Sequence, residues 1–144
     1  MTSTFLPPAE WAPHEAVWIG FPGNPDEWPT GLAEAQANVA AFADAVHAGG
    51  KGERVELIAR SDADAETAQK LVGPGVNVSV IPFGDIWLRD TGPIVVSDGT
   101  SLRARGFGFN GWGGKYVMAG DEIVPETLSE RAGLPFDAND WILE

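Results

Sequence analysis

The sequence has 144 residues, 44% of them apolar and 21% charged, with nine basic against 21 acidic side chains and a net charge of −12. That balance excludes a nucleic-acid binder, which needs the opposite sign, and favours cationic small molecules, with most of the acids forming a solvated face. With no cysteine and only two histidines, His14 and His47, far apart, the chain offers no disulfide, no thiol nucleophile and no zinc site.

The chain opens on MTSTFLPPAEW, which has no basic n-region and no long apolar core, and no later run reaches the roughly 18 apolar residues of a membrane span. A cytoplasmic protein without membrane contact is expected. Ala16-Val17-Trp18-Ile19-Gly20-Phe21 is a short apolar run, predicted as a buried strand, and Pro22-Gly23-Asn24-Pro25 turns the chain after it. A helix follows, with Thr30 as N-cap and Leu32, Ala35, Val39, Phe42, Ala43 and Val46 as its apolar stripe, stopped by Gly49-Gly50. Val55, Leu57 and Ala59 alternate with Glu56, Ile58 and Arg60 in a second strand. Ser61 caps a second helix that ends at Gly73-Pro74-Gly75, and Val76, Val78 and Val80 mark a third strand. Strand, helix, strand, helix, strand is the order of an α/β fold.

After Pro82 the pattern changes. Ile94-Val95-Val96 and the stretch from Leu102 to Phe109 read as a hairpin joined at Ser97-Asp98-Gly99-Thr100. A short helix over 126–132 and a last strand beginning at Trp141-Ile142-Leu143 complete the reading, with no internal repeat, linker or domain boundary. A chain that stops inside an apolar strand reads as a fragment, or as one piece of a larger fold.

Two stretches carry chemistry. Phe83-Gly84-Asp85-Ile86-Trp87-Leu88-Arg89-Asp90-Thr91-Gly92-Pro93 follows a strand, the place where α/β proteins gather ligand sites. A carboxylate beside an indole suits a planar cation, by bidentate hydrogen bonds and cation–π attraction. The other reading is an ion pair of Arg89 with Asp90 or Asp85 that braces the turn. In Gly106-Phe107-Gly108-Phe109-Asn110-Gly111-Trp112-Gly113-Gly114-Lys115-Tyr116, glycines allow close backbone approach while the aromatics either wall a pocket or plug the core.

These stretches carry a resemblance. Asp85 to Pro93 resembles the D-x-W-x-R-D-T-G-P signature of the agmatine deiminase / peptidylarginine deiminase family of guanidine-modifying enzymes. Phe109 to Tyr116 resembles its F-N-x-W-G-G-K-Y motif, and His14 to Trp18 with Pro22 to Pro29 resembles its entry segment. Family members often have Trp where Phe21 precedes Pro22, a departure that bears on the pocket for the substrate's tail. The order and spacing of the matches run through nearly the whole chain, so it is similar to the N-terminal portion of such an enzyme.

The resemblance implies a pentein, an α/β-propeller of five units of which about two are present in a single, C-terminally truncated domain. It implies a cysteine nucleophile, a proton-shuttling histidine and two acids that grip the guanidinium, with no cofactor. Residue by residue, Asp90 matches the first acid, and Glu144, in Trp141-Ile142-Leu143-Glu144, matches the second. Asp85, Trp87, Asn110 and Trp112 are candidate substrate-binding residues, with the two tryptophans as candidate pocket walls. Neither His14 nor His47 matches the catalytic histidine, and His47 is expected to be structural. The expected activity is conversion of agmatine to N-carbamoylputrescine, a step of putrescine biosynthesis, by the whole enzyme, with this chain inert alone. The alternatives are another free or peptidyl guanidine, or a non-catalytic domain binding a cationic ligand or a partner. Association with another copy or with the missing C-terminal portion is expected as well.

Overall fold

The computed structural model describes residues 4–143. They form two compact units, His14–Ile86 and a second made of residues 4–13 and 87–143.

The unit His14–Ile86 contains β1 (Val17–Gly20), α1 (Leu32–His47), β2 (Val55–Ala59), α2 (Asp62–Leu71) and β3 (Asn77–Val80). The strands are all parallel in the order β1-β2-β3, with Ile19 opposite Leu57 and Leu57 opposite Val78. Parallel neighbours need crossovers, and α1 and α2 supply them. β2 lies in the middle, so its alternation is overridden: Val55, Leu57, Ile58 and Ala59 are all buried, although Ile58 shares a face with Glu56. Phe21, Ala43, Val55, Leu57 and Ala68 form the core, flanked by Ile19, Val39, Val46, Val72, Val76 and Val78.

The helices meet this core through alanines, Ala35, Ala40 and Ala43 on α1 and Ala65 and Ala68 on α2. Phe42, expected in the apolar stripe, is exposed, because one step back from Ala43 is about 100° around the helix. Thr30 is not the N-cap of α1. Gly31 takes that place at φ 91°, a left-handed conformation open to glycine, and its carbonyl accepts the Ala35 N–H at 2.9 Å. Ser61 caps α2 as expected, its Oγ accepting the Asp64 N–H at 3.2 Å.

The second unit holds α3 (Leu88–Thr91), β4 (Ile94–Ser97), β5 (Leu102–Gly108), α4 (Gly111–Gly114), α5 (Val124–Arg131) and β6 (Phe136–Ile142), its sheet ordered β4-β5-β6. β4 and β5 are the expected antiparallel hairpin, with Val95 opposite Ala104. The Asp98 carboxylate closes its turn, accepting the Thr100 and Ser101 N–H groups at 3.0 and 2.9 Å. Leu6 bridges to Ser97 beside β4 through two hydrogen bonds of 2.9 Å. α5 starts two residues earlier than its sequence suggests, with Pro125 in its first turn. It packs on β5, with Val124, Leu128, Val96 and Ala104 buried.

The last strand departs most from the sequence reading. It begins at Phe136, not at Trp141, and runs parallel to β5. Asp137, Asn139 and Asp140 hide it from any reading based on apolar alternation. Tertiary partners make it a strand: Arg103 Nη1 donates to both Asp137 oxygens at 2.8 Å, and Asn139 Nδ2 donates to the Gly106 carbonyl at 3.1 Å. Among the described residues no helix is long and apolar enough to cross a membrane.

Leu57 sits on the central strand at the centre of the core, so Leu57→Ala is expected to cost about 2–5 kcal/mol by lost burial and cavity formation. Phe42→Ala, on the exposed side of α1, is expected to change stability by no more than about 0.5 kcal/mol. Urea unfolding followed by circular dichroism measures both, and equal losses would place the core elsewhere.

Candidate active site

The first chemical stretch begins inside the unit His14–Ile86. Phe83 is buried there and Asp85 is half-buried. The segment reaches β1 closely: a Cβ on Gly20, the strand's last residue, would stand 2.7 Å from the Ile86 carbonyl oxygen. Gly20 therefore sets how near Asp85 and Ile86 come to the end of that strand.

In the other unit the stretch continues as α3, a single turn organised around one carbonyl. The oxygen of Trp87 accepts the Asp90 N–H at 3.0 Å, the Thr91 N–H at 3.2 Å and the Thr91 hydroxyl at 3.3 Å. Thr91 is buried beneath the turn. Gly92 closes it, donating to the Leu88 carbonyl at 2.8 Å, and a Cβ there would lie 2.4 Å from that same oxygen. The glycine of Thr91-Gly92-Pro93 is thus required for space, since its φ of −76° is open to any residue.

Trp87 caps α3 and Asp90 is three residues on. An i to i+3 backbone hydrogen bond joins the two positions across the turn. Both are exposed, Trp87 by 59%. An exposed indole and an exposed carboxylate on one short turn are the two groups that can engage a planar cation. Arg89 does not brace the turn through Asp90. Its Nη2 bonds Glu10 Oε1 at 3.0 Å, with the two side chains 82% and 79% exposed. Glu10 passes unnoticed in the sequence because nothing local links it to a residue 79 positions away.

The second stretch folds into a left-handed turn. Gly111, Trp112, Gly113 and Gly114 have φ of 68°, 51°, 74° and 83° in succession. Asn110 anchors it: Oδ1 accepts the Gly113 N–H at 2.7 Å and the backbone oxygen accepts the Gly114 N–H at 2.9 Å. Gly111 O then takes the N–H groups of Lys115 and Tyr116, both at 2.9 Å. Three of the four residues are glycines, for which this conformation is easy. The fourth is a tryptophan, for which it costs about 1–2 kcal/mol. The Trp112 ring meets Phe109 edge to face at 4.9 Å and Tyr116 at 6.1 Å, and Lys115 Nζ lies 5.0 Å from the Tyr116 ring centre. With Tyr116 exposed and Phe109 and Trp112 half-buried, this cluster lies at the surface and does not plug the core.

Of the remaining predicted positions, Glu144 lies outside the described residues. His14 pairs with Glu53 at 3.4 Å. His47 ends α1, with its Nδ1 3.3 Å from the Glu53 carbonyl oxygen, a structural setting.

Comparison with known proteins gives this geometry a context. The family described as Porphyromonas-type peptidyl-arginine deiminase matches residues 6–144. Agmatine deiminase of Pseudomonas aeruginosa (strain LESB58) is 39% identical over 147 residues, which cover 97% of this chain and 39% of that protein. Agmatine deiminase of Stutzerimonas stutzeri is 39% identical over 109 residues, 75% of this chain and 29% of that one. Among solved structures, agmatine deiminase of Enterococcus faecalis superposes with a TM-score of 0.82 at 25% identity, over 94% of this chain and 38% of that one. A cysteine-to-serine variant of C. jejuni agmatine deiminase with substrate bound gives 0.83 at 25% identity, over 98% and 41%. The chain thus spans about two fifths of the length of most of these relatives. Its fold is that of the pentein, the α/β-propeller of these neighbours, with about two of the five units present.

The backbone cost at Trp112 is separable from the worth of its ring. Trp112→Gly and Trp112→Ala both remove the indole, but only the alanine keeps a Cβ at φ 51°. The glycine variant is expected to be the more stable of the two by about 1 kcal/mol. Thermal unfolding of the pair reads the difference, and equal stability would show that the turn relaxes once the ring is gone.

Proposed function

The chain belongs to the Porphyromonas-type peptidyl-arginine deiminase family, and from that premise we propose that it is the N-terminal part of a hydrolase that deiminates a small guanidine, converting agmatine to N-carbamoylputrescine and ammonia. The observation that carries this reading is that Trp87 and Asp90, three residues apart and joined by a backbone hydrogen bond, are both exposed on one turn. The 39%-identical agmatine deiminases favour agmatine over a peptidyl guanidine, and the acidic balance of the chain favours a cation.

In this reading Asp90 holds two guanidinium N–H groups while Trp87 and Trp112 flank the cation and its aliphatic tail. Asn110 completes the polar lining, and Glu144 serves as the second acid. A cysteine thiolate attacks the guanidinium carbon, forming a C–S bond. The C–N bond then breaks, and ammonia leaves with a proton from a histidine. Water adds to the same carbon, the C–S bond breaks, and the ureido product departs as the thiolate is restored. These 144 residues include no cysteine, so the nucleophile comes from outside them. A solved relative in which cysteine is replaced by serine, with substrate bound, supports a thiol at the centre of the chemistry. The carboxylates act by fixing the cation in place and by holding charge opposite it as the carbon becomes tetrahedral.

The reading also assigns a partner to an exposed edge. β6 is the outer strand of its sheet, and Trp141, Ile142 and Leu143 are all at least half exposed, Trp141 by 75%. Apolar side chains on an unpaired strand edge are a liability unless covered. We assign their cover to the rest of a family-length protein, with self-association of the short chain as its substitute.

In a family-length protein with its cysteine intact, agmatine should yield N-carbamoylputrescine and ammonia, and the 144-residue chain alone should yield neither. Asp90→Asn keeps the size but removes the charge opposite the cation, a loss of roughly 1.5–3 kcal/mol, and should lower kcat/KM at least about tenfold. A colorimetric ureido assay with circular dichroism reads both. Inactivity toward agmatine, arginine and arginyl peptides alike would sink the proposal, and turnover of arginyl peptides alone would move it to the peptidyl class.

A further inference from the structure

Arg89 and Asp90 are consecutive on α3, and this creates a problem for any site that binds a guanidinium. Arg89 carries the same functional group as the proposed substrate, it is always charged, and its long stem swings freely at the surface. Tethered one residue from Asp90, it presents that group at an effective concentration of at least millimolar order. The two side chains leave a helical turn about 100° apart, which separates them at rest but does not stop a flexible arginine from reaching its neighbour. In a chain of net charge −12, Arg89 has acids within reach, and which of them it pairs with bears on whether Asp90 stays open.

Among the described residues, Arg89 is ion-paired with Glu10, at 3.0 Å, and not with Asp90. Glu10 does not lie on a loose tail. Residues 9–12 form a turn, with the Ala12 N–H donating to the Ala9 carbonyl at 2.9 Å and Glu10 at its second position. Upstream, Leu6 is bridged to Ser97 by hydrogen bonds of 2.9 Å in both directions, and the Phe5 ring lies 5.6 Å beneath the Arg103 guanidinium. Residues 5–10 are therefore a strap, attached along the same unit that carries α3, and its end delivers one carboxylate to Arg89.

We propose that Glu10 is a positioning residue of the guanidinium site: by holding Arg89 it keeps the protein's own guanidinium off Asp90 and leaves that carboxylate to the substrate. The inference rests on the guanidine-deiminase reading and adds to it a residue that touches no substrate. It also gives the ion pair a use that stability does not explain, since a pair this exposed contributes little to folding.

The test uses family-length protein with agmatine as substrate and compares Glu10→Gln, Arg89→Gln and the double variant. Glu10→Gln should raise KM by about three- to fivefold, the scale of a surface charge pair, with kcat within about twofold and Tm unchanged. Removing the competitor should cancel the effect, so the double variant should return KM to within about twofold of wild type. A KM unmoved by Glu10→Gln overturns the proposal. So does a double variant as impaired as the single, which would mean that Glu10 acts on the substrate by its own charge. Should the Arg89 variants fail to fold, Glu10→Asp decides: KM near wild type supports the proposal, and KM as high as in Glu10→Gln overturns it. Wild-type protein that turns over no guanidine sinks the deiminase reading and this inference together, whereas active wild type with an unmoved Glu10→Gln sinks only the role of Glu10.

Discussion

The proposed guanidinium site hangs on one backbone oxygen. The Trp87 carbonyl accepts from the Asp90 N–H, the Thr91 N–H and the Thr91 hydroxyl, so three consecutive functional decisions are made at a single atom. The hydrogen bond from Asp90 ties its backbone to that of Trp87 three residues back, so both residues share one turn. The two from Thr91 draw a polar side chain under the turn, where its hydroxyl would otherwise be buried without a partner. A buried anchor with two exposed side chains above it is how a four-residue turn can present chemistry without the support of a longer helix. Gly92 follows because the chain must leave the turn hard against the Leu88 carbonyl, where a side chain has no room.

The turn at Gly111–Gly114 solves a related problem by a different route. α3 is right-handed and ordinary, so its residues are free to be chosen for chemistry. α4 is left-handed, and its glycines answer the backbone demand, with Asn110 tying the first turn by side chain and main chain at once. Trp112 alone conflicts with its backbone. An aromatic side chain in a left-handed conformation persists only where the surroundings over-determine it or where the ring is needed in that place. Phe109 and Tyr116 supply part of the determination through edge-to-face contacts. That both motifs of the family resemblance coincide with backbone demands of this kind gives their glycines a physical meaning, independent of any comparison.

How much of this was legible in the sequence follows the range of the interactions involved. β1, β2, β3 and the β4–β5 hairpin are written in short apolar runs and turn residues, and the Ser61 cap is written three residues from its partner. Where the competition was local but close, the reading slipped by one residue: Thr30 is the better side-chain cap, yet Gly31 alone tolerates φ 91°. Only the end of β6, at Trp141 and Ile142, was readable, because Asp137 and Asn139 become strand residues only when Arg103 and the Gly106 carbonyl are across from them. Within the site, the residue types of Trp87, Asp90, Asn110 and Trp112 were legible from motif and chemistry. The left-handedness of Trp112 was not, since no propensity places tryptophan there, and neither was Glu10, whose bond to Arg89 closes a loop of 79 residues.

Charge ties the site to the chain as a whole. A surplus of acid raises the local concentration of any cation, and at a distance it does so without regard to which cation. Under the proposed reading, selectivity for a guanidinium has to come from geometry close at hand, a planar group held by a carboxylate and an indole. Arginine meets that geometry as well as a substrate does, and α3 carries one beside its carboxylate. An acidic surface cannot by itself prevent the wrong guanidinium from docking, because it attracts both. A dedicated acid on a separate strap can, since its position is set by Leu6 and Phe5 and not by the turn it serves. In the proposed site the ion pair between Glu10 and Arg89 serves specificity more than stability: it is a weak contact whose value would lie in which alternative it excludes.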